Sequence, residues 1–352
     1  MGLFDNWMHM SLAFVSLEFV WDLYLIWRQR RTVKANTEPN SDVQKLMDAE
    51  TFTKARSYSL DKINFGILKD IYDHAESLGV TLNFVLLIIW TFSGTCINYF
   101  GYSDELIQSN MFLFITTVIT LVVQLPWSLY STFVLEEKHG FNKMTLGFYF
   151  KDTLKKMLVN QLITAILITP LIFLVKWGGD YFFLYAWGFT FAFSMAIFFV
   201  YMDFIAPLFD KYSPVPASPL RTAIEDLARS VSFPLTKLFV VDGSRRSAHS
   251  NAFFFGFMNN KRIVLFDTLL DDSCNPMLAA EQREFPSEEE QEKKTGKGCN
   301  TEEVVAVLGH ELGHWYHGHV WKPMMLNQAL ILGLFYTFGI LVKNRQMVAD
   351  FG

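Results

Sequence analysis

The stretch VTLNFVLLIIWTFSGTCINYF, from Val80 to Phe100, contains no charged side chain. A helix needs about 20 such residues to cross the ~30 Å hydrocarbon layer of a bilayer. The whole chain of 352 residues has the same character, with 51% hydrophobic, 16% aromatic and only 18% charged residues. These values differ from those of ordinary soluble domains, so the stretch predicts a membrane-spanning helix and places the chain among integral membrane proteins.

Five other stretches are long and apolar enough to be spans. They run from Met8 to Trp27, Met111 to Phe133, Met157 to Val175, Tyr181 to Tyr201 and Met324 to Val342. The first is the weakest because it contains Glu18 and Asp22, and charges inside the bilayer are costly. It ends in basic residues, Arg28 to Arg31, without a small-residue cleavage site, so we expect it to be retained. The sequence predicts an α-helical integral membrane protein with six spans.

Basic residues indicate the orientation of these spans. They cluster after the first span and between the third and fourth, at Arg28, Arg30, Arg31, Lys34, Lys138, Lys143, Lys151, Lys155 and Lys156. Loops rich in Lys and Arg stay in the cytosol, so we expect a luminal N-terminus. Residues 1–201 then hold spans one to five, residues 202–322 form a cytosol-facing segment, and residues 323–352 hold span six.

The segment 202–322 is predicted to contain a small β-sheet. LFVVDG and RIVLFDTLL resemble strands, and NAFFFGF followed by Asn259-Asn260 and KRIVLF resembles a hairpin. Residues 281–298 are polar and rich in charge, so we expect a mobile solvated loop there.

Charge and cysteine content exclude other kinds of protein. The net charge of −5 gives no basic surface that would favour nucleic acid, and none is expected as a partner. Cys96, Cys274 and Cys299 are scattered and odd in number. They predict reduced thiols rather than a disulfide framework or a cysteine-based zinc site.

The stretch VLGHELGHWYHGHV, from Val307 to Val320, contains a His-Glu-x-x-His motif. On a helix, His310 and His314 lie on one face, about one turn apart, where two imidazoles can share one tetrahedral ion. Glu311 lies beside the metal and can take a proton from water. Val304, Val307, Leu308 and Leu312 supply the packing face of such a helix. The motif predicts a Zn²⁺ site for peptide hydrolysis.

The third zinc ligand is not evident. A metzincin would place a histidine at position 320, whereas His319 comes one residue too early. His317 would lie about 10.5 Å along the helix axis from His310, too far to share the ion. We interpret His317 and His319 as interfacial residues or as contacts of the ligands. Asp350 is the only acid after Trp315, so the third ligand is an upstream acid or, as we favour, lies beyond residue 352.

The chain as a whole resembles the type I CAAX prenyl proteases. The resemblance rests on stretches such as PWSLYSTFVLEEKHGFNKMTLGFYFKD, IAPLFDKYSPVP, FPLTKLFVVDGSRRSAHSNAFFFGF, NNKRIVLFDTLL and VVAVLGHELGHW. It implies a seven-span helical barrel around a chamber, of which six spans are present here, and a gluzincin-like protease domain. His310 and His314 match the metal ligands and Glu311 the catalytic base. The family's third ligand, a glutamate after the seventh span, has no counterpart here, as in a C-terminally truncated chain.

The resemblance also implies a substrate and a location. The family removes the C-terminal tripeptide from farnesylated CAAX proteins in the endoplasmic reticulum membrane and inner nuclear membrane. SAHSNAFFFGF matches the lining of the substrate groove, where we expect Asn251 and, less firmly, His249 to contact the substrate backbone. The alternative is that Asn251 caps a turn and His249 packs. A farnesyl group resists transfer into water, so a protease within the lipid bilayer can receive such a substrate directly.

Two other functions remain open from the residues. A membrane quality-control metalloprotease of the HtpX type would share the motif but would cleave unprenylated peptides equally well. A non-catalytic membrane scaffold would fit a chain whose third zinc ligand is missing, and the reading frame past Gly352 distinguishes it. A transporter is disfavoured because matching broken helices in two halves are not evident.

Overall fold

The computed structural model describes residues 6–45, 47–257, 259–271, 275 and 298–351. Its helices are α1 (Trp7–Ala35), α2 (Ala49–Leu82), α3 (Val85–Tyr99), α4 (Glu105–Tyr130), α5 (Leu146–Trp177), α6 (Phe182–Val200), α7 (Pro219–Ser230), α8 (Thr301–Tyr316), α9 (Trp321–Leu341) and α10 (Arg345–Asp350). Its strands are β1 (Tyr212–Pro214), β2 (Leu235–Val241), β3 (Ala252–Phe257) and β4 (Asn260–Phe266). Of the predicted mobile loop at 281–298, all but Gly298 lies outside the described residues.

In the described part of the chain, five helical segments are long and apolar enough to cross a membrane. They are Trp7–Ala35, Glu105–Glu136, Leu146–Trp177, Gly179–Leu208 and Trp321–Leu341. Each contains one of the predicted spans almost completely. Few residues in the most apolar stretch of each segment are buried inside the protein, as expected for surfaces that face lipid.

The predicted span Val80 to Phe100 is wrong in its course, because the chain bends by 63° between α2 and α3. Asn83 ends α2 by donating its side-chain amide to the Gly79 carbonyl at 2.8 Å. Phe84 then adopts a left-handed backbone conformation with φ of 51°. At 1.5 Å per residue, α3 is about 22 Å long and too short to cross the bilayer alone. If α2 and α3 are counted together as one span, the described chain has six candidate spans at most.

The chain divides into two compact units. The helical unit comprises residues 1–139, 157–183 and 336–352, and the sheet unit comprises residues 140–156 and 184–335. In the helical unit, polar side chains connect the spans in pairs. The Asn110 amide of α4 donates to the Thr169 hydroxyl of α5 at 2.9 Å, and the Gln108 amide donates to the Trp90 carbonyl of α3 at 3.0 Å. Such bonds join helices whose apolar sides gain little from leaving lipid.

The sheet unit contains a four-stranded sheet in the order β1-β2-β4-β3. β1 pairs antiparallel with β2, β2 pairs parallel with β4, and β3 and β4 form an antiparallel hairpin. The predicted strands and hairpin are therefore confirmed, except that the strand predicted over RIVLFDTLL ends at Phe266 and Asp267–Leu269 form a 3-10 turn. Gly256 has φ of +123°, and a side chain there would clash with the Asn260 carbonyl, so this position of the hairpin needs glycine.

The two sides of the sheet bury different residues, because successive side chains of a strand point to opposite faces. We call the side that packs on α7 and α8 the aliphatic face. Its core consists mainly of Leu220, Ile224, Leu238, Val240, Ile263, Leu265, Val304, Leu308 and Leu312. We call the other side the aromatic face. It packs on the end of Gly179–Leu208, the segment that contains α6 and that we call the α6 segment. The contacts are made by Met202, Ala206, Val241 and Val264, with Tyr212, Phe239, Phe253, Phe255 and Phe266 around them.

Candidate metal centre

The motif helix α8 has a well-formed start. Asn300 accepts from the backbone N–H of Glu303 at 3.0 Å, and the Glu303 carboxylate accepts from the backbone N–H of Asn300 at 2.9 Å. This reciprocal capping box satisfies two donors that would otherwise lack a helical partner. Glu302 and Glu303 also place negative charge in the first turn, where the helix dipole favours it.

The core side of α8 fixes the helix against the sheet. Val304, Leu308 and Leu312 are at most 2% exposed, and Val307 and Trp315 pack beside them. The predicted packing face is thereby confirmed. It leaves the opposite side of the helix to the polar residues of the motif.

His310 and His314 lie together on that polar side. Their Nε2 atoms are 3.2 Å apart and their rings are perpendicular. Two metal–nitrogen bonds of about 2.0–2.1 Å at a tetrahedral angle separate the nitrogens by about 3.3 Å. The pair therefore fits two ligand positions around one ion, and rigid packing of α8 holds it in that arrangement.

The end of α8 brings a third histidine to this pair. The backbone N–H of His319 donates to the His314 carbonyl, and that of Gly318 donates to the Trp315 carbonyl. Gly318 has φ of +68°, so these bonds form a Schellman turn, which reverses the chain after His317. As a result, Nδ1 of His319 lies 2.8 Å from Nδ1 of His314. The sequence pattern predicted a straight helix and did not indicate this contact, although a glycine after a periodic run signals such a helix end.

His319 is suited to accept a hydrogen bond from Nδ1 of His314. Desolvation lowers the pKa of His319, and the nearby His314, His317 and Lys322 lower it further. A neutral imidazole has one nitrogen that accepts a hydrogen bond. If Nε2 of His314 is a ligand, its Nδ1 carries the proton and donates to His319, an arrangement typical of metal-bound histidine.

Glu311 and His317 occupy different positions around the pair. Glu311 is half-buried and, among the residues that the structure describes, its carboxylate has no hydrogen-bond partner or ion pair. His317 caps the C-terminal end of α8, is exposed, and stacks on the ring of His319. His317 contacts His319 rather than the His310–His314 pair.

A complete set of three ligands is not found in the described part of the chain. Within it, no His, Cys, Asp or Glu side chains form a group of three that could hold a metal. The position of the third ligand stays a prediction.

Strand β3 lies at the edge of the sheet and beside α8. Asn251 precedes it, is exposed, and accepts from the backbone N–H of Ala252 through its side chain. His249 is also exposed, and its ring stacks on Phe141 with centroids 4.2 Å apart. Both predicted substrate contacts thus lie at the start of the edge strand, and their role in binding stays a prediction.

Comparisons with known proteins cover nearly the whole chain. Residues 29–211 match a family described as CAAX prenyl protease N-terminal, five membrane helices, and residues 214–352 match peptidase family M48. The CAAX prenyl protease 1 homologues of Mus musculus and Homo sapiens are each 44% identical over 97% of this chain and 74% of their own length.

A solved structure agrees with the match in sequence. The crystal structure of Ste24p from S. mikatae superposes with a TM-score of 0.82 at 33% identity, over 96% of this chain and 73% of that one. The fold is accordingly that of a multi-pass helical membrane protein with a small mixed sheet. The chain belongs to the CAAX prenyl protease 1 family of membrane metallopeptidases, within peptidase family M48.

Proposed function

We propose that this protein is a zinc endopeptidase that removes the C-terminal tripeptide from farnesylated CAAX proteins. The observation that carries the proposal is the 3.2 Å approach of the His310 and His314 Nε2 atoms, on a packed helix beside an edge strand. Family membership supports a metal-dependent peptidase, and the names of the relatives support a prenylated substrate. Zinc suits two imidazole nitrogens at tetrahedral spacing.

His310 and His314 would hold the ion as two of its ligands. Zinc would supply Lewis acidity, which makes water acidic near neutral pH and polarises the scissile carbonyl. Glu311 takes the proton from the attacking water, because its carboxylate is next to His310 and is not committed to another described residue. Glu311 then gives that proton to the leaving amine. His319 accepts a hydrogen bond from Nδ1 of His314, which would leave Nε2 of His314 free to hold the ion.

The edge strand β3 supports the mode of substrate binding. An extended peptide can add to the unpaired edge of a sheet through backbone hydrogen bonds. β3 is such an edge in the described sheet, and it packs beside the helix that carries Glu311. We propose that the CAAX segment binds along β3, with Asn251 and His249 as polar contacts at its start.

We also propose that the site faces the cytosol in the endoplasmic reticulum membrane and the inner nuclear membrane. Support comes from the basic loops after the first span and between the third and fourth. Farnesylated C-termini are held in the cytosolic leaflet by their lipid. A site on that side receives them without moving the farnesyl group through water.

The test compares two peptides of the same sequence, one farnesylated and one unmodified. The protein is expressed from its whole reading frame and purified in detergent, and its zinc content is measured beside its turnover. We expect cleavage of the farnesylated peptide alone, one zinc per chain, and loss of turnover with a chelator. Equal cleavage of both peptides would overturn the substrate and favour a quality-control protease, whereas absence of zinc would overturn the enzyme assignment.

A further inference from the structure

A cavity of about 550 Å³ lies in the sheet unit, on the aromatic face of the sheet and at the end of the α6 segment. Its charged lining residues are Asp203, Asp210, Lys211, Lys237, Arg245 and Arg262. Four of these are cationic and two are anionic, so the lining carries a net charge of 4 − 2 = +2. The protein as a whole has a net charge of −5, which makes this local excess of positive charge distinctive.

Both carboxylates of the lining already have cationic partners. Asp203 pairs with Arg262 through both oxygens, at 2.5 and 3.1 Å. Asp210 accepts from Nε of Arg246 at 2.9 Å. Desolvation disfavours the charged form of Arg246, but hydrogen bonds to Asp152 and Asp210 outweigh it and raise its pKa. Each acid is therefore held by an arginine, and neither forms an ion pair with Lys211, Lys237 or Arg245.

Lys211 and Lys237 form no close ion pair with a described residue, although the charge of Lys237 acts on Asp203 at longer range. Both are exposed, and among the described residues neither ammonium has a carboxylate within 4.0 Å. Arg245 is nearly as available, since its only described acid is Asp242 at 3.6 Å. Three positive side chains therefore line one cavity with their charge uncompensated or weakly compensated.

The walls of the cavity are aromatic and offer one more donor. Lys237 and Phe239 lie on the same side of β2 because strand residues alternate. Tyr212 contacts Phe239 edge to face, with centroids 6.5 Å apart. Burial raises the pKa of Tyr212 to about 12, so its hydroxyl keeps its proton and can donate a hydrogen bond. The cavity thus combines a rigid aromatic wall with cations and a neutral donor.

The position of the cavity favours a lipid headgroup as the source of a bound anion. Asp203 lies in the apolar segment Gly179–Leu208, a candidate span, and Lys211 follows its end. A cavity where a span ends lies at the depth of the lipid headgroups. Each Lys or Arg near a membrane surface attracts anionic lipid by about 1 kcal/mol, and basic pockets beside membrane helices on the cytoplasmic side bind phosphorylated headgroups.

We propose that this cavity binds a phosphate group, presented by the headgroup of an anionic lipid. Lys211 and Lys237 contact the phosphate oxygens, Arg245 and the Tyr212 hydroxyl add donors, and the Arg262–Asp203 pair fixes the wall. Phosphate suits the site because it offers several acceptor oxygens to separate donors. The proposal does not depend on the metal centre or on the peptidase reaction.

The test uses three probes on the full-length protein in neutral detergent. Dioctanoyl phosphatidic acid presents a lipid phosphate, dioctanoylglycerol has the same tails without phosphate, and inorganic phosphate represents a soluble source. Native mass spectrometry measures the bound fraction at increasing probe concentration. We expect retention of phosphatidic acid and little retention of dioctanoylglycerol. The double variant Lys211→Gln, Lys237→Gln should bind phosphatidic acid about thirtyfold more weakly, from two lost cations.

Two further double variants separate the site from general effects of charge. Lys211→Arg with Lys237→Arg keeps both charges and should retain binding within about threefold. Lys45→Gln with Lys54→Gln removes the same charge from two exposed lysines outside the lining and should leave binding unchanged. Equal losses in both glutamine pairs, or equal retention of dioctanoylglycerol, would overturn the proposal. Inorganic phosphate that binds as tightly as phosphatidic acid, with the same dependence on the variants, would overturn the lipid source and identify a soluble anion.

Discussion

The motif helix α8 and the membrane helix α4 bury opposite kinds of side chain. α8 buries Val304 and Leu308 against the sheet and turns its histidines outward. α4 exposes apolar residues such as Val122, which is 60% exposed, and directs the Asn110 amide toward the Thr169 hydroxyl of α5. Both helices have the same periodicity of about 3.6 residues per turn.

The difference follows from the solvent around each helix. Water drives the aliphatic side of α8 into a core, where each fully buried leucine contributes about 1.5–3 kcal/mol. Lipid is as apolar as leucine, so spans gain little by hiding such side chains and associate through packing and polar contacts. Substitutions should therefore have effects that depend on which side of which helix they alter.

The largest expected effect is on the polar side of α8. Glu311→Gln removes the general base without changing shape, so turnover should fall about 10²- to 10⁴-fold. Zinc content and thermal stability should not change, because Glu311 is neither a proposed ligand nor part of the core. Cleavage of a farnesylated peptide measures the first, and metal analysis with thermal melting measures the second. Turnover close to that of the wild type would remove Glu311 from its role.

On the core side of α8, Leu308→Ala should reduce stability instead. Leu308 is 1% exposed, and its truncation leaves a cavity that costs about 2–5 kcal/mol. Thermal unfolding of the purified protein measures the change. The matched control is Leu330→Ala on α9, because Leu330 is 63% exposed in a candidate span and should cost far less. Similar losses for both leucines would show that the two helices do not differ in the way described.

Just past the end of α8, His319→Phe should weaken metal binding. Phenylalanine keeps an aromatic ring but cannot accept a hydrogen bond from Nδ1 of His314. Loss of such a contact lowers metal affinity about 10- to 100-fold. Competition with a chromogenic zinc chelator measures the affinity without any need for turnover. His319→Asn retains an acceptor and should recover part of the loss. If both variants bind zinc like the wild type, the 2.8 Å contact has no role in orienting His314.

Inside the membrane helices the expected effect is the smallest. A double-mutant cycle with Asn110→Leu and Thr169→Val should give a coupling of about 0.6 kcal/mol, and at most about 1.7 kcal/mol. The observed bond has a donor–acceptor distance of 2.9 Å. Unfolding of the four proteins in the same detergent gives the coupling. A value near zero would mean that packing alone holds α4 against α5.

Local sequence patterns predicted α8 and its packing face. The spacing of Val304, Leu308 and Leu312 matches the periodicity of a helix, so residues close in the chain were sufficient for the prediction. The hairpin of β3 and β4 was predictable for the same reason, since its turn residues are adjacent. The parallel pairing of β2 with β4 was not, because it joins strands that are distant in the chain. The left-handed Phe84 also has no local signal, since phenylalanine rarely adopts that conformation.

The candidate site was predictable only in part. His310, Glu311 and His314 are fixed by spacing along one helix, so the sequence sufficed for them. The contact of His319 with His314 depends on the turn at Gly318, which the assumption of a continuous helix concealed. The charged cavity depends on tertiary structure, because Lys211, Lys237 and Arg262 come together only when β2, β4 and the end of α6 pack.

The end of the α6 segment limits which bond of a substrate the enzyme can cleave. Met202 and Ala206, the last turns of a candidate span, are themselves part of the hydrophobic core under the sheet. The sheet is therefore joined directly to this candidate span through shared core residues. The number of residues between the lipid anchor of a bound peptide and the cleaved bond would then be limited by the distance from this span to the edge strand.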